Sequence, residues 1–140
     1  NHAISRRPRK SVPGFSKTSF IDRYVFPDGE ILPLSTMVEA LEGVGFEVRD
    51  VEALREHYAQ TLRAWVANLE ANWDEAVAHS SPGRARVWRL YMAGAALSFS
   101  ANRLGINHVL AVKCTDRGRS DMPGTRDELL RPNNQVSTAP

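Results

Sequence analysis

At 140 residues, with 42% hydrophobic and 24% charged side chains, the chain has the length and composition of one soluble globular domain. It contains no apolar run near the roughly 20 residues that span a bilayer. One cysteine excludes an internal disulfide, and no Cys/His cluster has zinc spacing, so a reducing cytoplasm is expected and no metal. The net charge of +2 is segmental: residues 1–23 carry +5, residues 24–80 carry −8 and residues 81–140 carry +5.

Residues 6–19, with Pro8, Pro13, Gly14 and clustered positive charges, read as a basic loop. Phe20, Ile21, Tyr24, Val25 and Phe26 then form a short apolar segment, closed by the turn signal Pro27-Asp28-Gly29. Thr36 and Glu39 have capping-box spacing, which predicts a short helix running to about Val44 with Gly45 as its left-handed stop. Phe46 to Val51 begins with the alternation of a half-buried strand.

From His57 to His79, Tyr58, Leu62, Trp65, Leu69, Trp73 and Val77 recur at steps of three and four and predict a long amphipathic helix, broken by Ser81-Pro82-Gly83. A second helix is predicted from Arg84 to Arg103, ended by Gly105, and Ile106 to Lys113 reads as a strand. Residues 115–140 have almost no apolar spacing and read as a disordered tail, leaving residues 1–114 as the folded unit. Two strands have too few neighbours to make a sheet, so the chain reads as part of a larger α/β domain. With no initiator Met and no apolar stretch after its first basic residues, the chain reads as starting partway through a longer protein rather than with a signal peptide.

Several ordered landmarks carry a resemblance that covers about residues 2 to 113. They are His2-Ala3-Ile4, the run from Phe20 to Glu30 (FIDRYVFPDGE), Gly45-Phe46-Glu47-Val48, the run from His57 to Trp65 (HYAQTLRAW), and Arg89-Leu90-Tyr91-Met92. Together they resemble the C-terminal portion of the cyclopropane fatty acid synthase and mycolic acid cyclopropane synthase family. The resemblance implies an α/β architecture, the C-terminal part of a Rossmann-like class I methyltransferase fold. The last two strands would be Phe46 to Val51 and Ile106 to Val112, and the long helices between them would cover an acyl chain. No Gly-rich turn follows a strand anywhere in the chain, so the half that binds S-adenosylmethionine is expected to be absent and the fragment alone to be inactive.

What the resemblance implies chemically is methyl transfer from S-adenosylmethionine to the cis double bond of an unsaturated fatty acyl chain. The resulting carbocation would lose a proton to bound bicarbonate, giving a cyclopropane or methyl-branched product. The family's bicarbonate donors, a His side chain, a backbone amide two residues later and a Tyr hydroxyl, match His2, Ile4 and Tyr58. An anion in an apolar pocket requires such converging donors, because it loses its hydration there. Tyr58 would lie near a helix start, whose free amides also favour an anion.

Without the motif around it, Tyr58 would be read as a core tyrosine and His2 as an exposed terminal residue. Trp65, Trp73, Trp88 and Tyr91 are read as packing, and His57 points about 100° away from Tyr58 on a helix. His79, His108 and Cys114 have no partner at catalytic or metal spacing in the sequence. Where many members carry Cys and a polar residue, this chain has Ala95 and Ala96. A second, non-catalytic reading is a lipid- or partner-binding module whose basic arm docks on an anionic membrane from the cytoplasmic side. Nucleic acid is not expected, since no recognition motif accompanies the positive arm.

Overall fold

A computed structural model describes residues 2–6, 20–27 and 29–131, with only the backbone of residues 2–4 and 6. Its elements in chain order are β1 (His2–Arg6), α1 (Phe20–Tyr24), α2 (Leu34–Gly43), β2 (Glu47–Ala53), α3 (Arg55–Ala71), α4 (Trp73–His79), α5 (Pro82–Ser100), β3 (Leu104–Val112) and α6 (Arg126–Leu130). Of the basic loop expected at residues 6–19, Arg6 is instead the last residue of β1, paired with Leu104, and residues 7–19 lie outside the described residues, as do Asp28 of the turn and residues 132–140.

The three strands form one sheet in the order β1-β3-β2, with β3 antiparallel to both neighbours. β1, too short to classify from sequence, pairs residue by residue with β3, His2 opposite His108 and Ile4 opposite Ile106. In β2 the register shifts between Val48 and Asp50, as a bulge does when it takes one extra residue.

Helices α3 and α5 pack against each other and cover one sheet face. Ala59 and Leu62 from α3, Met92, Ala95, Ala96 and Phe99 from α5, and Ile106 from β3 are buried in one cluster. Leu62, Phe99 and Ile106 are each only 1% exposed, and fully burying a side chain of that size stabilises the fold by about 1.5–3 kcal/mol. Asn107, on the alternate side of β3, is the buried polar residue among those described, and its Nδ2 donates to Ser5 Oγ at 2.9 Å, tying β3 to β1.

Several local expectations change. The helix start predicted at Thr36 moves to Leu34, with Pro33 as N-cap and no side-chain cap, so the Thr36/Glu39 box is not formed; the Thr36 amide donates to Pro33 O at 3.1 Å. The stop at Gly45 is as expected: its φ is +88°, and the amides of Gly45 and Phe46 donate to the carbonyls of Glu42 and Leu41, a Schellman closure.

The long helix predicted from His57 to His79 breaks at Asn72, whose Nδ2 donates to Asn68 O at 2.8 Å, and an amide side chain bonding the local backbone in this way competes with helix continuation. Helix α5 is ended by Asn102 (φ 55°), not by Gly105. The amides of Asn102 and Arg103 close onto Phe99 O and Ser98 O. Gly105 lies instead within β3, where a Cβ would sit 2.9 Å from Ser5 Oγ.

Residues 115–131, read from sequence as disordered, carry a turn and α6. Thr125 Oγ1 caps the helix by accepting from the Glu128 amide, and Glu128 Oε2 accepts from the amide of Gly124, one residue before the N-cap. Arg126 pairs with Asp50 of β2 at 3.0 Å.

Candidate active site

Tyr58 stands in the first turn of α3, immediately after β2 has delivered Leu54 beside Ile106; the Leu54 amide donates to Ile106 O at 2.9 Å, and the Tyr58 amide to Leu54 O at 3.0 Å. Its half-buried ring packs edge-on against Phe99, with centroids 5.0 Å apart, and against Trp65 at 5.8 Å. Two perpendicular aromatic contacts fix the ring plane at a favourable geometry.

A second aromatic group adjoins it. Phe26, from the turn after α1, packs edge-on against Tyr91 at 5.5 Å and Trp88 at 6.2 Å, and Trp88 against Tyr91 at 5.6 Å. Arg84 fastens this turn to α5, donating to Tyr24 O at 3.1 Å while its guanidinium lies over the Trp88 ring. Burial raises the Tyr91 phenol above the ordinary tyrosine range, and the proximity of Tyr58 adds to the shift. The two phenols therefore share one region between α3 and α5. Sequence reading placed Tyr91 among packing residues, although it lies within the Arg89 to Met92 landmark; its nearness to Tyr58 comes from helix packing.

Backbone register places His2 and Ile4 relative to Tyr58. Leu104 and Ile106 of β3 pack into the cluster shared with α3 and α5. Alternate residues of a strand share a face, so the positions opposite Ile106 and His108, which are Ile4 and His2, belong to the sheet side covered by those helices. Tyr58 is packed against the same cluster. The arrangement thus brings a phenol, the first-turn amides of a 17-residue helix and two β1 positions to one side of the sheet.

The remaining sequence candidates lie apart from this group. His57 and His79 are exposed, and Cys114 donates to Glu47 Oε2 at 2.9 Å, which holds the Glu47 carboxyl below and the Cys114 thiol above their usual ranges. Among the described residues, no group of three His, Cys, Asp or Glu side chains is placed to hold a metal, and no helix is long and apolar enough to cross a membrane.

The profile of the family described as Mycolic acid cyclopropane synthetase matches residues 1–109. The chain belongs to that family. It is 44% identical over 123 residues to a probable fatty acid methyltransferase of Mycobacterium tuberculosis, a match covering 88% of this chain and 28% of that protein. It is 42% identical over 132 residues to a probable fatty acid methyltransferase of Pseudomonas putida, covering 94% and 34%. Among solved structures, mycolic acid cyclopropane synthase CmaA1 complexed with SAH and CTAB superimposes with a TM-score of 0.69 at 28% identity, over 79% of this chain and 42% of that one. The chain therefore has part of the α/β class I methyltransferase fold of the cyclopropane synthases, and it spans about a third of the length of these curated relatives.

Proposed function

We propose that the chain forms the acyl-binding and base-holding part of an S-adenosylmethionine-dependent methyltransferase acting on the cis double bond of an unsaturated fatty acyl chain. The observation that carries this reading is the placement of Tyr58. Its phenol stands in the first turn of α3, held by Phe99 and Trp65, on the sheet side to which His2 and Ile4 belong.

When bound, S-adenosylmethionine supplies the methyl group and bicarbonate the base that accepts the proton lost in closing a cyclopropane ring. This chain's own part is to hold that base and shape the space beside it. Tyr58 donates its phenolic hydrogen to the anion, His2 donates from its imidazole and Ile4 from its backbone amide. Three donors replace the hydration that a carbonate species loses in apolar surroundings, a cost of several kcal/mol when uncompensated. The first-turn amides of α3 add a partial positive charge. Phe26, Trp88 and Tyr91 give apolar, electron-rich walls, which exclude water and favour positive charge developing on the acyl chain.

The test places this chain within a full-length enzyme of the family and compares Tyr58→Phe with the parent by product formation on an unsaturated phospholipid. Loss of one hydrogen bond to a charged group corresponds to about 1.5–3 kcal/mol, a fall of roughly 10- to 100-fold. Undiminished lipid methylation removes Tyr58 from the mechanism. Access to such lipids implies peripheral contact with an anionic membrane through the basic segment, which vesicle co-sedimentation at rising salt would report as a loss of binding.

A further inference from the structure

Helix α5 carries two apolar stripes. Met92, Ala95, Ala96 and Phe99 turn inward to the core cluster. On the opposite side Val87, Leu90, Gly94, Leu97 and Ala101 recur at steps of three and four, the spacing that keeps residues on one helical face. Leu90 and Leu97 are 60% and 63% exposed. A Cβ at Gly94 would meet no heavy atom within 4 Å outside the local helix backbone. A surface helix ordinarily turns a polar face to solvent, and α3 does so, with Glu56, Gln60, Arg63 and Asn68 exposed. Between Arg86 and Arg103, α5 has one charged residue, Arg89, and it turns aside to pair with Glu70 of α3 at 2.6 Å. The outer face of α5 is therefore an open apolar seam, which packing within the chain does not explain.

We infer that this seam is a docking surface for a second copy of the same chain, the two α5 helices crossing antiparallel at Gly94. The seam is self-complementary about that residue. A two-fold axis there sets Leu90 against Leu97 of the other copy and Val87 against Ala101, so each contact is made twice, as an isologous interface requires. Gly94 at the crossing leaves room for the flanking leucines to interdigitate. Charge agrees with the antiparallel sense. The exposed Arg86 precedes Gly94 by as many residues as Asn102 follows it, so it falls beside the end of the other α5, where the last carbonyls carry the negative end of the helix dipole. A parallel pair would instead set Arg86 against Arg86. One helix pair covers less than the roughly 1,200 Å² of a standard interface, so the association belongs to the transient class. The seam lies on the side of α5 turned away from α3, which leaves the Tyr58 side of the chain uncovered in the dimer.

Sedimentation velocity on the 140-residue chain, over a concentration series, should show the average mass climbing toward twice that of the monomer. Gly94→Glu should return the monomer, because the introduced carboxylate faces its own copy across the axis. In a single chain that side chain has free space, so the urea midpoint should hold or rise. Register is read by oxidation in a Cys114→Ser background. Cα atoms lie about 2.3 Å from each helix axis, so axes about 8–10 Å apart bring the two residues at the crossing to roughly 3.4–5.4 Å, overlapping the range a disulfide spans. Gly94→Cys should therefore cross-link about 10-fold faster than Ala67→Cys, at an exposed position on α3. Three results overturn the inference: a monomer at every concentration, a dimer that Gly94→Glu leaves intact, or a Gly94→Cys cross-link no faster than the control. The same Gly94→Cys thiol, placed in a full-length enzyme carrying this chain, separates the other occupants. A monomer in which it resists maleimide assigns the seam to the rest of that enzyme, and shielding only by phospholipid vesicles assigns it to lipid; either result excludes the second copy.

Discussion

Arg55 holds the start of α3 against the end of α5, and its removal tests whether that clamp sets the frame around Tyr58. Its Nη1 donates to Phe99 O at 2.7 Å and to Ser100 O at 3.1 Å, two carbonyls in the last turn of α5, of which Phe99 O also accepts from the Asn102 amide, and its other amino group pairs with Glu56. A hydrogen bond to a charged group contributes about 1.5–3 kcal/mol, and a cation at a helix C-terminus about 0.3–1 kcal/mol. The Arg55 side chain is 23% exposed and Ser100 is exposed, so water replaces the second bond and the first dominates. Arg55→Ala should therefore destabilise the chain by about 2–3 kcal/mol. Arg55→Lys, with a single point charge in place of a planar fork, should recover only part of that loss. Urea unfolding followed by fluorescence of the three tryptophans measures both. A cost for Arg55→Ala below about 0.5 kcal/mol, the range of neutral surface changes, would refute the clamp.

Gly105→Ala places a Cβ 2.9 Å from Ser5 Oγ; the hydroxyl must turn away and release the Asn107 amide that it accepts from, which should cost about 1–3 kcal/mol, seen as a lower urea midpoint. Ser5→Ala leaves the Asn107 amide without its acceptor, and about 1–3 kcal/mol should be lost, with the unfolding slope unchanged if the denatured state is unaltered. The raised Tyr91 phenol predicts a late component in an ultraviolet pH titration of the three tyrosines, abolished by Tyr91→Phe. Because the native form holds that proton more tightly than the unfolded chain, its contribution to stability is intact below the ordinary tyrosine pKa of about 10 and is lost as pH rises through the folded value. Tyr91→Phe should accordingly flatten the alkaline fall in unfolding midpoint. Arg126→Ala removes a largely exposed ion pair to Asp50 and should change global stability by less than about 1 kcal/mol. It should instead speed amide exchange in α6, and unchanged exchange would show that the pair does not hold that helix.

How much could be read from sequence depended on whether a residue's role was local. The α3 stripe through Tyr58, Leu62 and Leu69, the Gly45 stop and the β3 segment were legible because helical period, a positive-φ glycine and branched residues act over a few positions. Asn72 was hidden inside an apolar period that continues past it, since one amide bonding back to Asn68 leaves the spacing of Trp73 and Val77 intact. Gly105 was misread because a glycine after a helix usually caps it; here Asn102 takes that role and the glycine admits Ser5 from a strand at the other end of the described chain. The Thr125-x-x-Glu128 cap was present in the sequence, but the surrounding segment lacked the apolar spacing that would have marked a helix.

At the site, the family landmarks led to Tyr58, His2 and Ile4. The contacts of Tyr58 with Phe99, its proximity to Tyr91 and the alignment of His2 with His108 depend on how α5 and β3 return past α3 and β1. Such long-range neighbours leave no trace in local pattern.

The most direct test of the account is the dependence of lipid methylation on bicarbonate concentration in a full-length enzyme carrying this chain, with and without the Tyr58 hydroxyl. If that hydroxyl helps to hold the base, Tyr58→Phe should raise the bicarbonate concentration at half-maximal rate by about 10-fold or more, matching one lost charged hydrogen bond. An unchanged bicarbonate dependence would contradict the account.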